Sequence, residues 1–279
     1  MDSVTLPIAS QPLPPAGPVP LARLWEQVLE VPFFRGLLRA FEAHFFGMLR
    51  LPQPVLDLGC GDGQFAARAF PRPPEVGLDP WWPPLRETRR WNAYRYGAVC
   101  ADGAAMPFPT DAFAAVVSNS VLEHIPHLDA VLAETARVLR PGGWLAFSVP
   151  NHRFEAYLSL ALVAERLGLR PLARGYRRWF QRVSRHVHCD PPEVWLPRLE
   201  RHGFRVWVWW HYFPRSALWA LEWGHYLGLP SLVAKKLAGR WVLVSRRWNL
   251  APVVAWLARY LRQAVDPEGA YTFYIAQRV

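Results

Sequence analysis

Seven short apolar runs set the rhythm of the chain. Val55–Leu58, Val76–Leu78, Ala98–Ala101, Phe113–Asn119 and Trp144–Val149 are too short for helices and nearly continuous in apolar character. A strand covered on both faces of a parallel sheet reads this way. Arg205–Tyr212 and Tyr271–Ala276 add two runs late in the chain. Between them the apolar positions recur at helical spacing. Leu24, Val28, Phe33, Phe34, Leu37, Leu38, Phe41 and Phe45 predict helices over 21–49, broken at Pro32. Leu128, Val131, Leu132, Thr135, Val138 and Leu139 predict another, stopped by Arg140-Pro141-Gly142-Gly143. A third, with Val194, Leu196 and Leu199, starts at Pro191-Pro192-Glu193 and ends at His202-Gly203-Phe204.

The first run ends abruptly in Gly59-Cys60-Gly61-Asp62-Gly63, and a helix follows from about Gln64. Glycine there lets the backbone turn sharply and a ligand approach closely, and helix N–H groups aimed at the turn suit an anion. A nucleotide-triphosphate loop would need Gly-Lys-Ser/Thr, and no lysine is present. A dinucleotide loop would need G-x-G-x-x-G, but Gly63 comes one place early and Gln64 stands where the last glycine belongs. The second run ends in Asp79, about twenty residues past the first glycine; an acid there can accept both hydroxyls of a ribose. The third ends in Asp102-Gly103, followed by Met106-Pro107-Phe108, and the fourth leads into Val121-Leu122-Glu123-His124-Ile125.

The D-x-G-x-G-x-G, D-G-x-x-x-P-F, V-L-E-H-I and R-V-L-R-P-G-G pieces, in this order, resemble the small-molecule branch of the class I S-adenosylmethionine-dependent methyltransferases. The resemblance is close over about 50–150 and looser over 190–213 and 271–279. It implies a Rossmann-like α/β sheet of six parallel strands and an antiparallel seventh, and S-adenosyl-L-methionine as cofactor; two helical insertions that interrupt the pattern after Pro150 and Phe213 read as a lid. The resemblance also implies roles. Gly59, Cys60, Gly61 and Gly63 would hold the methionine part, with Asp57 organising the loop. Asp79 and Pro80 would lie at the ribose, Asp102, Gly103 and Met106 around the adenine, and Asn119 would present its backbone to the methionine amino group. A hydroxyl acceptor needs a base; His124 is nearest in sequence to the cleft and His152 second, and either also fits a satisfied structural histidine. Asn119 is not followed by Pro-Pro, so the exocyclic-amine signature of DNA and RNA enzymes is missing.

Composition changes the picture beyond the core. The chain has 279 residues, 52% of them hydrophobic, enough for a large core. Three scattered cysteines, Cys60, Cys100 and Cys189, fit a reducing, cytoplasmic setting. Residues 1–150 carry 12 basic and 14 acidic side chains, while residues 151–279 carry 20 and 8, so the net of +10 comes entirely from the second part. Ten of the fifteen tryptophans lie there too. The organisation predicted is a disordered Pro-rich leader over 1–20, helices and core over 21–150, an insertion over 151–189, core over 190–213, a second insertion over 214–270, and a last strand over 271–279.

In the first insertion, Leu172, Ala173, Tyr176, Phe180, Val183 and Val187 recur three or four apart, and Arg170, Arg174, Arg178, Arg182 and Arg185 form a stripe at nearly the same spacing. One apolar and one cationic face suits an anionic membrane surface, an anionic substrate, or a solvated helix lying on the domain. No segment has the uninterrupted apolar length of a membrane span. His186 and His188 could share a side of an extended segment, but a convincing further ligand pair is missing, so no metal is expected. The expected protein is an enzyme that methylates a small or lipid-like acceptor, peripheral to the inner face of the membrane. The alternatives are a degenerate S-adenosylmethionine-binding protein and an RNA-modifying methyltransferase; the basic stripe lacks interleaved stacking aromatics, which argues against nucleic acid.

Overall fold

Two helices, α1 (Leu21–Val28) and α2 (Phe33–Met48), precede the first strand, with Pro32 at their break as the periodicity predicts. A computed structural model describes residues 13–279, apart from the side chains of residues 229 and 230. The strands β1 (Val55–Leu58), β2 (Val76–Asp79), β3 (Ala98–Cys100), β4 (Phe113–Asn119), β5 (Leu139–Pro150), β6 (Phe204–Tyr212) and β7 (Tyr271–Arg278) form one sheet. Their order is β3-β2-β1-β4-β5-β7-β6. The pairings from β3 to β5 are parallel, and β7 runs antiparallel to both β5 and β6, the six-plus-one arrangement expected. Crossovers carry α3 (Gln64–Ala69), α4 (Trp82–Leu85), α5 (Thr88–Trp91) and α6 (Leu128–Val138). One boundary differs from the reading of the sequence. Arg140–Gly143 do not separate helix from strand: β5 begins at Leu139 and runs through them, with the ladder to β4 irregular between Phe113 and Ala115.

Successive strand residues face opposite cores, as their period of two requires. Along β4, Ala115 and Val117 belong to one core and Val116 to the other. The second core is closed by α6 and by α10 (Pro192–Arg201), where Trp195 packs on Phe147 and Tyr274. The first core is larger, because both insertions join it. After β5 come α7 (Arg153–Ala156), α8 (Ser159–Arg166) and α9 (Arg170–Ser184); after β6 come α11 (Arg215–Leu227), α12 (Leu229–Ala238) and α13 (Arg247–Ala258). Phe154, Ala173 and Phe180 of the first insertion and Leu218, Leu221 and Leu257 of the second are buried together with Phe34 and Phe41 of α2. No helix of the described residues is long and apolar enough to cross a membrane.

The two insertions are tied by a buried acid. Glu222 of α11 accepts the N–H of Ser159 (2.6 Å), the first residue of α8, and the hydroxyl of Tyr176 on α9 (2.6 Å). Its carboxylate thus supplies the N-terminal cap that α8 lacks in its own sequence. Of the expected disordered leader, residues 1–12 lie outside the described residues. Residues 13–20 are non-helical, as their prolines require, but they are docked rather than loose: Val19 is buried and its N–H donates to the Leu261 carbonyl (2.8 Å), while the Gly17 carbonyl accepts from Ala264.

Gly224 sets how closely α11 approaches α2, since a Cβ there would overlap the Phe34 side chain. Gly224→Val is expected to lower stability by about 1–3 kcal/mol through overpacking, read as a lower urea midpoint at unchanged slope. Gly175→Ala in α9, where an added Cβ meets nothing within 4 Å, is expected to be neutral or stabilising by up to about 1 kcal/mol.

Candidate functional site

The turn after β1 is fastened to β2 as well as to itself, the Gly63 N–H donating to the Cys60 carbonyl (3.1 Å). The N–H groups of Gly59 and Cys60 both donate to the Leu78 carbonyl (2.7 and 3.0 Å). Asp79, at the end of β2, reaches back: one carboxylate oxygen accepts the Gly61 N–H (3.0 Å) and the other accepts the Trp81 N–H (2.9 Å). Gly61 lies in the left-handed region at φ +55, and an added Cβ would meet nothing within 4 Å, so the backbone there borders open space. Gly59, also left-handed at φ +78, is closed on its outer side by Val121. The helix after the turn departs from the expectation of free N–H groups: α3 is short, and the Gln64 N–H donates to Asp62 Oδ1 (3.1 Å). Asp57 is buried in β1, where Tyr94, which borders Gly63, donates its hydroxyl to Asp57 Oδ2 (2.7 Å).

The loop after β3 is held from behind. Asp102 Oδ1 accepts the Ala104 N–H (2.9 Å), and the Met106 N–H donates to Glu134 of α6 (2.8 Å). Arg137, the first residue of the R-V-L-R-P-G-G piece, donates to the carbonyls of Phe108 (2.8 Å) and Met106 (3.0 Å) while paired with Glu134. Met106 is buried in the second core and Gly103 packs near Leu58 and Val131. Pro80 is exposed.

At the end of β4, Asn119 spends its side chain internally. Its amide donates to Glu42 of α2 (2.9 Å) and its carbonyl accepts from Ser148 (2.6 Å), leaving only its backbone toward the turn side. Glu42, fully buried, also accepts from the Ser120 hydroxyl (2.6 Å) and pairs with Arg39 (3.4 Å). Sequence reading missed Glu42; its one signal was an acid amid Ala40, Phe41, Ala43 and Phe46 in an apolar helix.

His124 lies one turn farther on, where the core meets the first insertion. The N–H groups of Val187 and His188 both donate to the Glu123 carbonyl (2.7 and 3.0 Å), which brings His186 over His124 with ring centres 5.3 Å apart. His124 Nδ1 bonds the Arg185 carbonyl (2.9 Å), and its Nε2 lies 3.7 Å from Glu123 Oε1. Burial pushes His186 down to about 3 and lowers His124, so both imidazoles are neutral; burial raises the Glu123 carboxyl to about 8. Glu123, also missed in the sequence although it adjoins His124, keeps Oε2 without a hydrogen bond while only 1% exposed. A cavity of about 440 Å³ opens here, lined by His124, His186, Gln181, Arg178, Arg182 and Arg185. The Arg185 guanidinium also stacks over Trp81, two residues past Asp79. His188 turns away to the Ile125 carbonyl and Asp190, so His186 and His188 do not converge. His152 is exposed at the start of α7 and takes no part in the cavity lining.

Residues 56–147 match the family model described as a methyltransferase domain. The chain is 34% identical over 149 residues to a ubiquinone biosynthesis O-methyltransferase of Chromobacterium violaceum, covering 48% of this chain and 62% of that protein. It is 36% identical over 102 residues to a malonyl-[acyl-carrier protein] O-methyltransferase of Legionella pneumophila, covering 35% of this chain and 36% of the other. The chain thus spans less than two thirds of the length of these curated relatives. Among solved structures, geranyl diphosphate C-methyltransferase of Streptomyces coelicolor A3(2), in complex with S-adenosyl-L-homocysteine, has the same fold at a TM-score of 0.54. That match covers 95% of this chain and 86% of the other at 16% identity.

The Asp57 environment has a consequence for stability. Burial raises its carboxyl from 3.8 to about 6, against the opposing pull of the Tyr94 hydroxyl and Arg39. The folded state therefore holds this proton more tightly than the unfolded chain, and stability is lost as pH rises from about 4 to about 6, then levels off. Asp57→Asn keeps an acceptor for Tyr94 and removes the titration. Across that window the variant is expected to gain on the wild type by up to about 3 kcal/mol, measured as the difference in urea-unfolding free energy at pH 4 and pH 7.

Proposed function

The chain carries a class I S-adenosylmethionine-dependent methyltransferase domain across residues 56–147, and from that premise we propose that it transfers the cofactor's methyl group to a small or lipid-like acceptor. The observation that carries this reading is the open backbone at Gly61 beside the Asp79 carboxylate, a cradle that a side chain at position 61 would fill. These residues fit the cofactor. Gly59, Cys60, Gly61 and Gly63 would line its methionine part, and Asp79 has lone pairs left for ribose hydroxyls after accepting two backbone N–H groups. Asp102, Gly103 and Met106, braced by Glu134 and Arg137, would border the adenine. The backbone of Asn119 would meet the amino group, its side chain being committed to Glu42 and Ser148.

When bound, the sulfonium supplies an already activated methyl, so the protein chiefly aligns the acceptor and excludes water. The two insertions leave the sheet at the ends of β5 and β6, the carboxyl edge on which open α/β sheets bind ligands. We assign them the role of a lid over the acceptor. Both named relatives are O-methyltransferases, which supports an oxygen acceptor. His124, on the cavity and held neutral, is then the better base of the two histidines, with His152 outside that cavity. Incubating the protein with trideuteromethyl-labelled cofactor and fractionated lipid and metabolite extracts tests the reading. One class of acceptor is expected to gain the label. Asp79→Ala should weaken cofactor binding at least tenfold, since charge-assisted hydrogen bonds contribute about 1.5–3 kcal/mol each; calorimetry giving equal affinities would refute the assignment.

A surface observation favours a peripheral, membrane-facing form of this activity. Ala173 and Phe180 of α9 are buried, but Leu172, Trp179, Val183 and Val187 remain exposed beside Arg170, Arg174, Arg178, Arg182 and Arg185. Among the described residues none of these five arginines forms an ion pair. Apolar and cationic groups mixed on one surface suit the interface of an anionic leaflet. Each arginine near such a surface contributes about 1 kcal/mol, so Arg174→Glu/Arg178→Glu should reduce binding to anionic vesicles by one to three decades. Sedimentation with anionic and neutral liposomes at low and high salt measures this. Wild type left in the supernatant with anionic vesicles at low salt rules the membrane reading out.

A further inference from the structure

Glu123, His124 and His186 present one carboxylate oxygen and two imidazole nitrogens that all lie within 4.8 Å of one another. We propose that these three residues form a binding site for a divalent first-row transition ion, with Zn²⁺ as the reference ion, joining the core to the first insertion. The inference does not depend on the methyl-transfer reading; with Nε2 on the ion and Nδ1 donating to the Arg185 carbonyl, His124 would be a ligand and not the base.

Three features point to a cation. Glu123 Oε2 is buried and has no hydrogen-bond partner, although an orphaned carboxylate oxygen is costly. His124 Nδ1 is engaged by the Arg185 carbonyl (2.9 Å), which makes Nδ1 the donor and turns the Nε2 lone pair toward Glu123. Metal-ligating histidines are oriented in this way, by a carbonyl on the far nitrogen. The third ligand arrives from another part of the chain: the paired N–H bonds of Val187 and His188 to the Glu123 carbonyl fix the segment that carries His186. Four-coordinate zinc with ligands at about 2.0–2.2 Å spaces them roughly 3.4 Å apart. His124 Nε2 and Glu123 Oε1 stand at 3.7 Å, and the widest pair, within 4.8 Å, must close by up to about 1.4 Å.

Two imidazoles and one carboxylate favour zinc and its neighbours over calcium or magnesium, which prefer oxygen alone. Three protein ligands would leave a fourth position, and His124 and His186 line the cavity rimmed by Arg178, Arg182 and Arg185. That rim repels a bare cation and favours an anionic oxygen on it, so the open position is matched to a carboxylate, phosphate or phenolate-type group. Cys189 Sγ is 3.6 Å from His186 Nδ1 but is not among the three ligands.

The test uses the full chain without an affinity tag, stripped with chelator and titrated with ZnCl₂ and with CoCl₂ alone. Wild type is expected to bind one equivalent of Zn²⁺ at about micromolar affinity or tighter. Glu123→Gln and His186→Ala should each weaken this at least tenfold, while His188→Ala should not. Bound Co²⁺ should show four- or five-coordinate d–d bands without a thiolate charge-transfer band, and Zn²⁺ should slow trypsin cleavage across 170–189 in wild type and His188→Ala but not in Glu123→Gln or His186→Ala. The wild-type cobalt spectrum and protection decide the matter even if a variant fails to fold. Absence of stoichiometric binding, equal affinity in folded Glu123→Gln or His186→Ala, or a thiolate band would overturn the site.

Discussion

A single buried carboxylate holds the N-terminal helices to the working edge of the sheet. Glu42 is fully enclosed, and a charge in that position is tolerated only when its oxygens are occupied. Asn119 and Ser120 from the end of β4, Arg39 from its own helix and, more distantly, Tyr212 at the end of β6 occupy them. Several features follow from this one point. Asn119 cannot turn its side chain elsewhere, so the strand end offers only backbone. Ser120 is kept in the left-handed region at φ +52, where a non-glycine residue is uncommon, by its hydroxyl on Glu42 and its N–H on the Ser148 carbonyl. Because α2 is fixed there, the close crossing of Gly224 on Phe34 transmits that position to α11, and Glu222 carries it on to α8 and α9.

How much of this was legible depended on whether the cause was local. The strands, the glycine turn and the acids at Asp79 and Asp102 announce themselves within a few residues, since backbone turning and strand burial are local constraints. Helix α2 was legible from its period, but the acid inside it was not, because its hydrogen-bond partners lie 77 and more residues away. Glu123 escaped for the same reason: its burial depends on a segment more than sixty residues later folding back onto its carbonyl. The histidine pair read from the chain, His186 with His188, rested on alternation along an extended segment. The carbonyl of Glu123 accepts both neighbouring N–H groups instead, and this sends His186 to the cavity and His188 to Asp190. The course of β5 through Pro141-Gly142-Gly143 was misread because terminators of the preceding helix were taken as terminators of structure altogether.

The arginine stripe shows a periodicity whose meaning packing decides. An apolar arc on α9 left open a membrane surface, an anionic substrate or a helix lying on the domain, and the fold uses the middle of that arc, Ala173 and Phe180, for its own core. Tyr176 is half-buried and donates its hydroxyl to Glu222. Arg177, the one arginine of this helix outside the stripe apart from its flanks, is drawn inward to Glu165 and the Glu155 carbonyl. Among the described residues the five arginines of the stripe form no ion pair, and Arg178, Arg182 and Arg185 line the cavity beside His124. The stripe's charge is unneutralised locally, and its five arginines are part of the excess of 20 basic over 8 acidic side chains in residues 151–279.

Topology explains why that unusual surface sits where it does. β5 and β6 run parallel to β1 and β4, so all four end at the same edge, the one bearing the glycine turn, Asn119 and Glu123. A segment inserted after either β5 or β6 must start at that edge, and its length decides only how far it extends. The connections at the opposite edge, such as Gly203 between α10 and β6, remain short. Extra chain in this fold therefore accumulates over the strand ends without disturbing the sheet. The first insertion leaves from the end of β5, its Arg178, Arg182 and Arg185 line the cavity, and the buried pairings at Glu222 and the Glu123 carbonyl hold it there.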